Sequence, residues 1–558
     1  MRAKRPRMSA ACRRRPERPQ MSTASRRRPE RPQMSTASRR RPDRPQMSTA
    51  RRRRPERPQM STASRRRPER PQMNTARRRR PERPRRGRGD DTLTKVNKFL
   101  QPFCLSKKVL LGVSSKLRWD MIRGLGKYTH LRSPVKMLPT FVRATPDGTE
   151  KGNFLVLDLG GTKLRLVHVR MGEDPRNVQN MGSEEYVVSE NIKKGSGQQL
   201  FDHIASCLSK FLDSLKLKQQ TLPLGFSFSF PCEQKDIDKA ILINWTKSFS
   251  CSGVEGKDVV QLLRDAIRRR GGYDIGPVAV VNDTVGTMMS YGYRCQSCEI
   301  GLIIGTGTNA CYMEKMKNVK RVEGEDGQMC INTEWGAFGD DGALKDIQTE
   351  FDVALDRTTD NAGFQTFEKM IGGKYLGEIV RLVLVKLAED GLLFDGQLSD
   401  KLLTHGSFET RLMSHIEEEE SGLEKTREIL VGLGLEAGPV DCQVVRLVCD
   451  TVSTRSASLC AAGLATIANQ IRLNCGLDRR KTTVGVDGAV YKKHPNFRDQ
   501  LQATVQGLAP ECEINFLCLG DGEGKAEQSK AFESGEGAAI VMAVAQRLAR
   551  QEEAEGGA

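Results

Sequence analysis

The sequence predicts an α/β protein, and three observations carry that expectation. From about residue 90 onward, apolar runs of strand length alternate with helix-length segments such as 375–387 and 444–473. Three of the runs, at 154–169, 300–313 and 482–491, carry a turn that sets an acid or threonine beside glycine. A further run, PVAVVNDTVGT at 277–287, reads as a valine-rich buried strand that delivers Asn282 and Asp283 to its carboxyl end, where open α/β sheets collect ligands. On that stretch alone, Asn282 and Asp283 also read as caps of the next helix, which is the plainer reading.

The 558 residues suffice for about three or four domain cores, but their composition is not uniform. Residues 1–89 hold 33 Lys and Arg against 6 Asp and Glu, a net of +27. The remainder holds 57 basic and 63 acidic groups, a net of −6, so the basic pI belongs to the tail. That tail repeats with a period of thirteen from Arg13 through Arg78, each unit resembling RRRPERPQMSTAS. Two prolines per unit exclude a regular helix and the arginines repel one another, so the expectation for 1–89 is disorder. Such an arm could bind RNA, DNA or an anionic membrane surface through counterion release, or be a plain solvated tail.

Fifteen cysteines without a secretory signal point to a reducing compartment. Cys295 and Cys298 form a lone CxxC with no second ligand pair, so free thiols are expected there rather than zinc. No run of about eighteen apolar residues suggests a membrane span. Leu110, Val113, Leu117, Met121 and Leu125 recur at three and four residues, which predicts an amphipathic helix ending near Gly126. At 154–169 two strands flank Gly160 and Gly161. Paired glycines admit a bulky anion, Thr162 offers a hydroxyl and an amide, and Asp158 could hold magnesium through water. A plain hairpin explains the glycines equally well, but not an acid buried at the end of an apolar strand.

Gly305, Gly307 and Ala310 satisfy GxGxxA, yet a strand rather than a helix follows, which excludes a dinucleotide site and leaves a phosphate-binding hairpin. Near the end, 520–525 fails as a Walker loop because Leu519 and Ala526 occupy required positions.

The motifs in order resemble the hexokinase family, a single glucokinase-type catalytic module of the actin-like ATPase (ribonuclease H-like) sugar kinases, over about residues 95–550. They are VKMLPT at 135–140, DLGGT at 158–162, SFP at 229–231, NWTK at 244–247, VNDT at 281–284, GTGTNACYME at 305–314, NTEWGAFG at 332–339, GGKY at 372–375 and VGVDG at 484–488. The resemblance implies two lobes closing over hexose and MgATP: 90–295 with leading helices and a small lobe at about 150–283, then 296–550 with the large lobe and terminal helix. It implies phosphorylation of D-glucose, with mannose or fructose as further acceptors, at the 6-hydroxyl, as the first step of glycolysis.

By the same resemblance, Ser229, Thr246, Lys247, Asn282, Asp283, Asn309, Glu334 and Glu368 would line the sugar site. Asp283 would accept the hydroxyl proton and Lys247 would neutralise charge on the transferred group. Asp158, Gly160, Gly161, Thr162 and Thr306 would cradle phosphates and magnesium, with Asp158 holding Mg through water. Gly373, Lys374, Thr454 and Ser458 would surround the nucleotide, although Thr454 and Ser458 also read as ordinary helix-surface polars. For the adenosine loop two frames compete, 520–525 and 534–539. Ser534 and Gly535 are preferred because Ala538 onward runs into the terminal helix.

Four departures from the family pattern stand out. Lys163 replaces asparagine after the first glycine turn and adds a charge beside it. Ser248 replaces a glycine after Lys247, at a cost of about 1 kcal/mol if that position uses positive φ. Ala362 replaces a turn proline, and about eleven residues are inserted within 518–534. Lys163, Ser248 and the insertion support an alternative reading, a catalytically weak sugar sensor or scaffold whose basic tail could bind nucleic acid, whereas Ala362 is a mild change. The hydrophobic mitochondrial-binding helix of double-length family members has no counterpart here, so a cytosolic location is expected.

Overall fold

The computed structural model describes residues 88–161, 163–172, 178–246, 248–419, 422–518 and 533–556. The expected disorder of 1–89 therefore falls, but for its last two residues, outside the described residues, as do Thr162, Lys247 and the 520–525 frame.

After a helix at Arg88–Leu100, the predicted amphipathic helix forms as α1 (Lys107–Leu125). The Ser106 hydroxyl accepts the Val109 N–H at its start, Gly126 ends it, and the predicted apolar face is buried. A short β1 (Leu138–Pro139) follows, then β2 (Gly152–Leu159), β3 (Lys163–Met171) and β4 (Val178–Val187). Helix α2 (Gly197–Ser214) opens with a Ser196–Gln199 capping box and leads to β5 (Leu224–Phe228), β6 (Cys232–Asp236) and β7 (Lys239–Leu242). Then come α3 (Val259–Arg270), β8 (Val278–Val281) and α4 (Asp283–Arg294). The second half contains β9 (Cys298–Ile304), β10 (Thr308–Lys315), β11 (Gln328–Asn332), α5 (Glu350–Thr358), α6 (Thr366–Ile371) and α7 (Gly373–Glu389). It closes with α8 (Thr410–Glu418), α9 (Pro439–Asn474), β12 (Arg480–Asp487), α10 (Phe497–Leu508), β13 (Cys512–Leu517) and α11 (Glu533–Gly556).

Two sheets share one plan. The first has the order β4-β3-β2-β5-β8 and the second β11-β10-β9-β12-β13, with β1 added at its edge. In each, three antiparallel strands are followed by two parallel ones. The period-two alternation of β2 is literal: Leu155, Leu157 and Leu159 face the core built with α2 and α3, and Phe154 and Val156 face the core built with α11. Asp158 continues the second set, so it lies on the α11 side.

Two segments cross the boundary expected near residue 295. Helix α1 packs on α9 beside the second sheet, because its apolar stripe completes that core. Helix α11 packs on the first sheet and on α4 instead of joining the second lobe. Glycines permit this: a Cβ on Gly225 would lie 2.4 Å from the Ala538 carbonyl, and one on Gly537 would lie 2.0 Å from Gly286 O. Backbone therefore meets backbone where side chains would hold the helices apart.

A buried ion pair anchors α9. Arg455 donates from Nη1 and Nη2 to the two oxygens of Asp352 on α5, both at 2.7 Å, with Phe103 stacked on its guanidinium at 4.6 Å. Among the described residues, no helix is long and apolar enough to cross a membrane.

Candidate functional site

The first glycine turn is closed by Gly160 N donating to Lys163 O at 3.0 Å. Asp158, half-buried, stands in register with Arg165 on one side and Ser227 on the other. The Ser227 hydroxyl is buried and has no protein partner among the described residues. An orphaned donor beside a strand-end carboxylate suits a polar ligand, so this end of the sheet fits a hydrated magnesium and phosphate oxygens. Gly535 is buried in the first turn of α11, where a Cβ would lie 3.2 Å from Val156 Cγ1. The start of α11 is thereby brought to the face that carries Asp158.

Lys163 does not leave a bare charge at this turn. Its Nζ donates to Glu185 Oε2 at 2.5 Å, and Arg165 Nη2 donates to Glu185 Oε1 at 3.0 Å. Those two cations hold the Glu185 carboxyl below its ordinary value.

The second turn joins β9 to β10, with Gly305 N donating to Gly307 O at 2.9 Å. Gly373 N and Lys374 N, at the start of α7, donate to Gly305 O and Thr306 O at 2.8 and 3.0 Å. Glu368 supports the same turn, because its Oε2 accepts the Thr308 N–H at 3.1 Å. A Cβ on Gly307 would fall 2.2 Å from that oxygen, so a side chain there would displace the Glu368 carboxylate from the Thr308 N–H. Thr306 is exposed and Lys374 likewise. On α9, Thr454 is exposed and Ser458 half-buried, while the intervening Ser456 hydroxyl donates to Ile371 O, two residues before Gly373.

Beside this turn lies a row of polar side chains. Asn309 Nδ2 donates to Asn332 Oδ1 at 2.8 Å, and Asn332 Nδ2 donates to Glu334 Oε1 at 2.8 Å. Glu334 adopts φ 50 and ψ 47, a left-handed conformation that costs a side-chain-bearing residue about 1–2 kcal/mol. Strain of this kind is concentrated at functional sites. The β10–β11 register sets Asn332 opposite Cys311, whose thiol donates to Thr284 O on α4. The row therefore faces the side of the sheet on which α4 begins.

Both readings of Asn282 and Asp283 meet at that point. The Asn282 side chain caps α4 by accepting the Thr284 N–H at 2.9 Å, and Asp283 Oδ1 accepts the same N–H at 2.9 Å. Asp283 is thus oriented at the first residue of the helix. Ser229 follows β5 and is half-buried. Thr246 O accepts the Phe249 N–H at 3.1 Å, closing a turn just before Phe249. Ser248 in that turn has φ 67, the conformation for which glycine is suited. The Ala362 departure is mild, since Gly363 takes φ 82 and Lys369 Nζ holds the turn by donating to Asn361 O at 2.9 Å.

Asn332 and the Glu368–Thr308 link were not assigned from sequence. Asn332 lies inside the NTEWGAFG motif, but its partners depend on a strand register that the motif does not state.

The duplicated 3-2-1-4-5 strand plan, with a glycine turn after the first strand of each sheet, defines a two-lobed actin-like ATPase fold of the sugar-kinase type. Two profiles of the family described as Hexokinase match residues 95–293 and 299–544. Hexokinase-2 of Rattus norvegicus is 55% identical over 460 residues, covering 82% of this chain and 49% of the relative. Hexokinase-1 of Homo sapiens is 52% identical over 462 residues, covering 83% and 49%. A structure of the hexokinase from Schistosoma mansoni complexed with glucose is 38% identical with a TM-score of 0.72, covering 82% of this chain and 99% of that one. The chain belongs to the hexokinase family. It spans about half the length of the curated relatives it matches.

Proposed function

We propose that this chain transfers the γ-phosphoryl group of MgATP to the 6-hydroxyl of D-glucose, and to mannose and fructose as acceptors of the same class. The observation that carries the reading is the ordered Asn309–Asn332–Glu334 row beside a glycine turn that Glu368 itself supports. Amides and carboxylates so fixed match a ring of hydroxyls, and each would be left unpaired by a wrong acceptor. The glucose complex of the Schistosoma mansoni relative supports the same substrate class.

In this reading Asp283 takes the proton of the attacking hydroxyl, held in one orientation by the Thr284 N–H. Ser229, Thr246 and Asn282 position the sugar, and Lys247 neutralises charge on the transferred group. MgATP supplies the phosphoryl group and the metal's charge neutralisation. Asp158 would hold the magnesium through water, with Gly160, Gly161, Thr162 and Thr306 about the phosphates. Gly373, Lys374, Thr454, Ser458, Ser534 and Gly535 would surround the rest of the nucleotide.

The test is a coupled assay of glucose-dependent ADP formation, comparing the chain with Asp283→Ala. Turnover lost in a folded variant that still binds glucose supports the reading. Retained turnover removes Asp283 from its role, and glucose binding without any turnover in the unaltered chain selects the sensor alternative. The reading carries a cytosolic location, supported by the many free thiols and tested by fractionation. The charge of residues 1–89 supports binding to nucleic acid or an anionic surface, tested by filter binding across a salt series.

A further inference from the structure

We propose that Asn332 is a positioning residue for the hexose, holding the Asn309 amide and the Glu334 carboxylate in the places from which they meet it. The inference rests on the hexose-kinase reading above. Asn332 ends β11 with 4% of its surface exposed, and among the described residues both hydrogen bonds of its side chain go to candidate hexose residues. The polarity of the row is set at both ends, by the Glu334 carboxylate and by the Ala310 N–H that meets the Asn309 carbonyl. An ionised carboxylate only accepts, so Asn332 must turn its NH2 to Glu334, which leaves its carbonyl toward Asn309. Asn309 must then turn its own NH2 to that carbonyl, and its Oδ1 takes the Ala310 N–H at 2.8 Å and the Thr333 hydroxyl at 3.4 Å.

Without Asn332 the Asn309 Nδ2 would lose its 2.8 Å acceptor and keep only the longer 3.4 Å bond to Glu334 Oε1, so the amide group would be held less closely in place. Glu334 Oε1 would lose the shorter of the two donors that meet it, keeping the 3.4 Å bond from Asn309, while its backbone remains in the left-handed region. Asn332 thus acts through two neighbours and touches no reacting atom in the proposed chemistry.

The substitution Asn332→Asp keeps the shape and reverses one polarity. At high pH it sets a second carboxylate against Glu334; at lower pH the two share a proton, which restores the donor. The ionisable groups around the row are common to every variant. Cys232 on β6 is pushed up by burial and by Glu334, and Cys311 on β10 is pushed up by burial, so both thiols stay neutral. Glu368 on α6 lies beside Gly336, Asp283 opens α4, and Arg321 donates to Lys136 O and Met137 O just before β1.

The experiment measures glucose KM and kcat with MgATP for the full chain, Asn332→Asp and Asn332→Leu, from about pH 5.5 to about pH 9, each as a ratio to the unaltered chain. For Asn332→Asp the KM ratio is expected to rise from within about threefold at the acid end to about 10–100-fold at the alkaline end, with kcat changing less. For Asn332→Leu it is raised throughout without recovery. A KM ratio for Asn332→Asp flat within about twofold, or a loss confined to kcat, overturns the inference. If either carboxylate-row variant fails to fold, Asn332→Ser decides: a raised glucose KM supports the assignment and an unchanged one overturns it. Absence of glucose-dependent turnover in the unaltered chain would instead sink the hexose-kinase reading.

Discussion

Replacing Ser248 by glycine should stabilise the protein. Ser248 sits at φ 67 in the turn closed by the Phe249 N–H and Thr246 O, and a left-handed residue with a Cβ costs about 1–2 kcal/mol. Glycine removes that cost but adds about 0.4–1 kcal/mol of unfolded-state entropy. The net expected for Ser248→Gly is about 0.5–1 kcal/mol of added stability, which for a chain of this size is a shift of about 0.2 M in the urea midpoint. Ser248→Ala is the control, since it keeps the Cβ and should gain nothing. Ser248 already holds positive φ, so glycine there needs no change of backbone and kcat should stay within about twofold. The reasoning fails if Ser248→Gly is less stable than the unaltered chain, or if Ser248→Ala gains as much.

Three further outcomes follow from charged groups. Asp352→Asn should cost about 3–5 kcal/mol in urea unfolding, because it strands the buried Arg455; a loss under about 1 kcal/mol would contradict this. Burial alone would raise the Asp352 carboxyl, but Arg455 holds it below the ordinary 3.8, so its contribution to stability is present above that value and lost as pH falls through the folded pKa. Asp120 has the opposite sign: burial and then Asp341 push it up to about 6 despite Arg123, so stability should fall as pH rises from 3.8 to about 6. Asp120→Asn should flatten that limb of a melting-temperature profile, and an unchanged slope would exclude Asp120 as its source. Lys163→Asn should alter the ATP KM by less than about threefold and stability by less than about 1 kcal/mol, because the exposed lysine is already engaged by Glu185; a tenfold change in KM would show that its charge reaches the nucleotide.

Strands and glycine turns were legible because each is written locally. The alternation of β2 and the apolar length of β8 need no partner to be recognised. Asp283 was legible both as a cap and as a candidate base, and the structure keeps the cap while orienting the carboxylate. Registers were not legible. The engagement of Lys163 by Glu185 follows from the pairing of β3 with β4, and the Asn332 relay from the pairing of β10 with β11. Nor could the motifs say that α11 crosses to the first sheet, since that depends on Gly225 and Gly537 letting backbone approach backbone.

That crossing has a consequence for how the protein is made. Phe154, Val156, Val167 and Val169 share a core with Ala538, Ile540 and Val541, residues from the opposite end of the folded chain. On the ribosome, one apolar face of the first sheet therefore waits for its cover while the intervening residues are synthesised, roughly 20–75 s at ordinary elongation rates. The first sheet cannot finish folding as an early, self-contained unit. Its uncovered face is the place where a nascent chain would recruit a chaperone or aggregate, and a nonsense change just before residue 533 would leave it open for good.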